Sequence, residues 1–229
     1  MLPSIVPCSK EKVDELINKL NLKSNDVNFE YEDTNIRKID KPKRFLEKID
    51  TKQSHLFMGY RTDITYRHDL YPAYVLFCMM FGENSFSTLF NKVREELGLA
   101  YSIYASSSPI RNICLVYAGI DTSNVNLTIK AIKECLNSYN DENIKKNKQY
   151  FEILLNEAKN EFKNEYINSL DSEEFMVSDN LKRKLTNRRT LFELYKDSLK
   201  VTLEDIGKIK DHLWLDTIYV LKGMGEKDE

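Results

Sequence analysis

The stretch GENSFSTLFNKVREELGLAYSIY, Gly82 to Tyr104, decides how the rest of the chain is read. Ser87 is placed to cap a helix, and Phe90, Val93 and Leu97 recur on one face of it. Gly98 stands where a left-handed residue would end that helix. Tyr101 then opens a segment of strand character. Arg94 falls in the last helical turn, seven residues before Tyr101. A helix end and a turn between them can bring a guanidinium and a phenol to one mouth of a sheet. Arginine offers a planar fork of donors and tyrosine one more. Together they could grip a peptide carbonyl or an oxyanion forming on it. The same spacing also serves a solvated arginine beside a tyrosine packed as a strand aromatic, and both readings stand at this point.

Outward from this segment, the period upstream is two. Leu56, Met58, Tyr60, Thr62 and Ile64 share one face, and Phe57, Gly59 and Arg61 the other, the pattern of a half-buried strand. Asp69 to Phe81 is apolar all round and predicts a buried helix, with a turn over Gly82 to Ser85. Downstream, Tyr101–Ser107 and Ile113–Asp121 predict a hairpin closed by Ser108-Pro109-Ile110-Arg111-Asn112. A helix with Val125, Ile129, Ile132 and Leu136 on one stripe follows. A long helix starts near Asp141 and carries Phe151, Leu154, Leu155, Ala158, Phe162 and Tyr166. Asp171 with Glu174, and Thr202 with Asp205, have capping-box spacing. Leu215 to Leu221 predicts a last strand. At the other end, Ser4 to Cys8 could end a strand, and Ser9 caps a helix striped by Val13, Ile17 and Leu20. Residues 25–50 show no period and predict a linker.

This order lacks strict βαβ alternation and argues against a doubly wound parallel sheet. It predicts an α+β fold: a two-layer, antiparallel-rich sheet with helices packed on one face. Residues 1–50 form a leading strand, helix and linker, and residues 51–229 the main domain.

Composition removes several functions. The 229 residues are 41% hydrophobic and 31% charged, with a net charge of −2; such a chain is globular and is no nucleic-acid surface. The basic run from Lys182 to Arg189 predicts a solvated helix face. The longest apolar run, Tyr74 to Phe81, is too short to span a bilayer. No secretory signal opens the chain, and no C-x-x-C pair occurs, so a cytoplasmic compartment with reduced thiols is expected. Cys78, Cys114 and Cys135 lie in apolar patterns and predict small buried hydrophobes. His55, His68 and His212 have no partners at zinc-helix spacing. A G-x-S-x-G elbow and phosphate-binding glycine loops are missing.

The motif S-x-L-F-x-x-V-R-E-x-x-G-L-A-Y, Ser87 to Tyr101, resembles the second-half motif of the insulinase, pitrilysin and mitochondrial processing peptidase family of zinc peptidases. Gly59-Tyr60-Arg61-Thr62 is similar to the first strand of that half in bacterial, processing-protease-like members. Ile113–Asp121 resembles the strand leading to its next helix. Ala158-Lys159 with Asp171-Ser172 is similar to the family's A-K-x-x-L-x-x-x-L and D-S pattern. The likeness runs from about Gln53 to Leu221. It implies one α+β half of a pair that closes around a peptide chamber. It also implies that Arg94 and Tyr101 hold the substrate backbone near zinc carried by another half. The family's H-x-x-E-H is absent here, so the resemblance implies no zinc cofactor in this chain and no peptide cleavage by it alone. The implied partners are a peptide substrate and a zinc-bearing half or subunit, with a homodimer as a further option. The alternative is an inactive scaffold or peptide-binding module with no part in catalysis.

Overall fold

The computed structural model describes residues 9–20, 39, 41–186 and 188–224. It separates into two compact units, residues 1–30 and 31–229. In the first, helix α1 runs over Lys10–Lys19. Ser9 Oγ accepts from the Lys12 amide at 3.4 Å, and Glu15 pairs with Lys19 one turn on, at 2.6 Å. The strand expected at residues 4–8 lies outside the described residues.

The second unit holds strands β1 (Lys43–Ile49), β2 (Ser54–Thr62), β3 (Ala100–Ser108), β4 (Ile113–Ile120) and β5 (Leu213–Gly223). They form one sheet in the order β1-β5-β2-β4-β3. Only the β1–β5 pair is parallel. The antiparallel-rich α+β sheet read from the sequence is thus the fold observed. Strand β1, however, lies within what the sequence reads as linker, and the sheet begins before residue 51. Its first six residues are exposed whichever way they point. An edge strand without a buried face has no alternation to read.

Strand β2 shows why the two layers form. Leu56, Met58 and Tyr60 are buried on one face, while His55, Phe57, Gly59 and Arg61 stay half-exposed on the other. The buried face continues through Cys114, Val116 and Ala118 of β4 and Ile218 and Val220 of β5. It joins one core with helices α2 (Tyr71–Cys78), α3 (Val125–Asn137), α4 (Asp141–Lys146), α5 (Lys148–Leu170), α7 (Leu191–Lys200) and α8 (Leu203–Ile209). At its centre Tyr139 meets Phe77 edge-on at 4.9 Å and Phe151 at 5.4 Å. Its hydroxyl is satisfied by Thr88 at 2.7 Å, which removes the cost of burying a phenol. Helix α6 (Glu173–Thr186) adds only Thr186 to the buried set. Cys78, Cys114 and Cys135 are buried free thiols, as their apolar settings predict.

Two details differ from the sequence reading for local reasons. The helix expected to run unbroken from Asp141 divides at Asn147, whose backbone (φ −112°, ψ 37°) leaves the helical region between α4 and α5. Near residue 171, the side chain that receives the Phe175 amide is Ser172, at 3.2 Å, one residue after the predicted cap. The box at Thr202 and Asp205 forms as predicted, and a second joins Thr190 with Glu193.

Candidate functional site

The Gly82–Tyr104 segment is built from widened helical turns. Helix α2 continues as a π-helical stretch over Met79–Glu83, where the sequence predicts a turn from Gly82. Gly82 makes this possible, because a Cβ there would lie 2.6 Å from Ala105 Cβ and 2.8 Å from its amide nitrogen. Only the bare backbone lets β3 approach so closely. The next helix starts on Ser87 and is π-helical over Phe90–Glu96. The Leu97 amide reaches back to Lys92 at 3.1 Å, and the Leu99 amide to Val93 at 3.0 Å. Gly98 ends it with φ +59°, the left-handed residue the sequence predicts. Wide turns of this kind gather at functional positions.

Arg94 lies on the outside of this helix. Its guanidinium sits over the Phe90 ring, 4.8 Å from the centroid, and its Nε is 3.5 Å from Glu95 Oε1. Tyr101 follows the Gly98 turn at a bulge in β3, where pairing with β4 slips between Ala100 and Ser102. The extra residue re-aims the side chain, and Tyr101 is 60% exposed. Its hydroxyl donates to Asp121 Oδ1 at 2.8 Å. That bond, with the carboxylate's charge, holds the phenol above its ordinary pKa and keeps it a donor. Both residues are therefore exposed, each engaged by its own neighbour. Among the described residues no hydrogen bond joins them.

The open sheet face carries a feature that strand alternation alone does not single out. Tyr117 of β4 stacks on His55, with rings 5.9 Å apart and Tyr117 Oη 2.9 Å from His55 Nδ1. It also meets Phe57 at 5.2 Å and Tyr104 at 5.0 Å, and Phe57 reaches Tyr219 at 6.1 Å. These rings lie across four strands on the face that no described helix of this unit buries. Their signal was available as aromatics at the non-core positions of β2, β3 and β4, but a strand read alone does not show its neighbours. On the same face Arg61 pairs with Asp216 at 3.5 Å, and its Nε is buried without a partner.

The histidines do not build a metal centre. His212 Nδ1 lies 2.7 Å from Asp63 Oδ1, and its ring meets His68 at 5.3 Å. His68 Nδ1 accepts from the Leu70 amide at 3.0 Å, so that nitrogen is already used. Among the described residues no three His, Cys, Asp or Glu side chains are grouped to hold a metal ion. The described residues therefore present no donor set that fits zinc. Among them, too, no helix is long and apolar enough to cross a membrane.

Comparison with known proteins agrees with this geometry. The family model described as the peptidase M16 inactive domain matches residues 7–150. A probable inactive metalloprotease of Bacillus subtilis, YmfF, is 31% identical over 184 residues, covering 80% of this chain and 42% of that protein. An uncharacterized zinc protease of the same organism, YmxG, is 27% identical, over 78% of this chain and 44% of its own length. The chain thus spans less than half the length of these curated relatives. A conserved protein from Enterococcus faecalis V583 superposes with a TM-score of 0.78 at 25% identity, over 96% of this chain and 51% of that one. The peptidase M16 inactive domain from Pseudomonas fluorescens superposes with a TM-score of 0.64 at 18% identity, over 84% and 48%. The protein belongs to the peptidase M16 family, as one of its inactive half domains.

Proposed function

We propose that this half domain contributes peptide-substrate contacts and an assembly surface to a zinc-bearing half or subunit. The observation that carries the reading is Tyr101: a largely exposed phenol, kept a donor, standing at a bulge on the edge strand of an otherwise open sheet face. An extended peptide laid near that edge would take the Tyr101 proton at a carbonyl in exchange for Asp121, and the Arg94 nitrogens not paired with Glu95 could donate to another. The rings of Tyr104, Tyr117 and Phe57 offer apolar surface beside it. In this reading its share in the reaction is to bind and orient the peptide.

The test combines this chain with its zinc-bearing half and measures kcat/KM for peptide cleavage. Arg94→Ala and Tyr101→Phe should each lower it by about tenfold or more, the loss of one hydrogen bond to a charged or polarised group. Unchanged values in both variants, with assembly intact, would remove the role. That result would support the second reading, a scaffold without a part in catalysis. The contacts Arg94 already makes with Phe90 and Glu95, and Tyr101 with Asp121, favour that second reading, since each group is satisfied within the chain.

A further inference from the structure

Strand β1 is one edge of the sheet, and among the described residues only β5 pairs with it. Its other side presents unpaired backbone donors and acceptors, a template for one more strand. The side chains beside that edge carry a pattern of charge. Arg44, Leu46 and Lys48 alternate onto the face that bears the core, in register with Ile218, Val220 and Lys222 of β5. Between them and the start of α3 lies a cavity of about 320 Å³, floored by Ile129, Ile218 and Val220 and rimmed by Arg44 and Lys222. Among the described residues no acid lines it. Lys48 and Lys222 are register partners, so two like charges stand side by side, an arrangement that costs stability until an anion joins it. Several other surface lysines sit one helical turn from an acid, as Lys92 does with Glu96 and Lys148 with Glu152. Among the described residues neither Arg44, Lys48 nor Lys222 has such a partner. Glu47, the acid of β1, points to the opposite face and is hydrogen-bonded by Tyr219.

We propose that the free edge of β1 takes an extended segment of a protein partner that places an acid, an apolar residue and a second acid at alternate positions. Added beside β1, such a strand sets one acid by Arg44, the apolar side chain by Leu46 at the cavity, and the other acid by Lys48, next to Lys222. Arg44 and Lys48 lie four residues apart, about 13 Å along a strand, which is also the spacing of the two acids. Leu46, now 62% exposed, would be covered. Main-chain hydrogen bonds supply the affinity and the alternate side chains the selection. A second copy of β1 laid antiparallel and centred on Leu46 would set Arg44 against Lys48, so charge turns this edge away from its own kind. Basic side chains on an edge also deter pairing, and that role alone predicts that no strand binds. Tyr101 stands on β3, at the far edge of the sheet, and the proposal does not depend on peptide binding there.

Fluorescence anisotropy on the full chain tests it, with a labelled, end-blocked peptide carrying the run Asp-Thr-Leu-Thr-Glu and a control with lysine at both acidic positions. The acidic peptide should bind weakly and the lysine peptide not at all. Arg44→Glu and Lys48→Glu should each weaken binding about fivefold, with circular dichroism confirming that both fold. Arg44→Glu should regain affinity for one of the two peptides in which a single acid is lysine. N-methylating alternate peptide amides should abolish binding in one phase and spare it in the other. On binding, hydrogen exchange should slow over residues 43–49 and not in β3. If a variant does not fold, the peptide series and the exchange pattern decide on the parent chain. No binding, equal binding of the lysine peptide, indifference to N-methylation, or protection in β3 instead of β1 would each overturn the proposal.

Discussion

Tyr101 Oη gives its proton to a carboxylate twenty residues further along the chain, so its acidity is set by Asp121. Asp121→Asn removes the charge and leaves the shape. The Tyr101 phenol should then titrate closer to the ordinary value of about 10, read as tyrosinate absorbance against the Tyr101→Phe difference. No change would mean that the bond does not persist in solution. Glu83 is another perturbed group. Burial of its carboxyl, then repulsion from Glu165, raises it to about 7, although Ser107 at 3.5 Å opposes the rise. More than a third of the residue still reaches solvent, and water damps the effect. Its pKa is raised on folding, so its contribution is full below the unfolded carboxylate value of about 4.3 and is lost as pH rises through 7. Glu83→Gln should flatten the fall in melting temperature between pH 5 and pH 8, and an unaltered profile would refute the assignment. The spacing of Arg94 and Tyr101 is visible in the sequence. Their partners are not equally so: Phe90 is one helical turn away, but Asp121 is brought to Tyr101 only by the β3–β4 pairing.

At the level of the element, the legible features are those with a period or a cap. Strand β2 alternates along its whole length and is read correctly. Thr202 with Asp205 has box spacing and forms the box, with the Asp205 amide donating to Thr202 Oγ1 at 3.3 Å and the Thr202 amide to Asp205 Oδ2 at 3.1 Å. Thr202→Ala should cost about 1 kcal/mol of unfolding free energy by denaturant titration, with Thr202→Ser close to the parent. An equal loss in both would locate the effect in packing of the methyl group. The features that escape a local reading arise from contacts distant in sequence. The π-helical stretch through Gly82 packs against β3 at Ala105, a neighbour more than twenty residues away. The edge strand β1 exists because β5, about 170 residues later, offers it a partner. Gly82 marks the first only once its neighbour Ala105 is known, and the second leaves no periodic pattern in β1.

Across the main unit, the sheet separates a helix-covered face from an open one. The helix-covered face holds residues such as Met58, fully buried. The open face holds Tyr117, half-exposed and resting on His55, Phe57 and Tyr104. Truncating a buried methionine leaves a cavity as well as lost transfer energy, so Met58→Ala should cost about 2–5 kcal/mol. Tyr117→Ala opens no sealed cavity. It forfeits ring contacts worth about 0.5–1.5 kcal/mol each in buried pairs and less in this wetter setting, so its cost should be clearly the smaller. If the open face is where an extended peptide lies, the order reverses for binding. Tyr117→Ala should weaken retention of a fluorescent peptide by the assembled zinc-bearing complex. Met58→Val, a milder truncation that keeps the fold, should leave it unchanged. Measuring both quantities on both variants separates the faces. If Tyr117→Ala destabilises as much as Met58→Ala, or leaves peptide retention intact, the open face is core that another domain covers and not a surface for substrate.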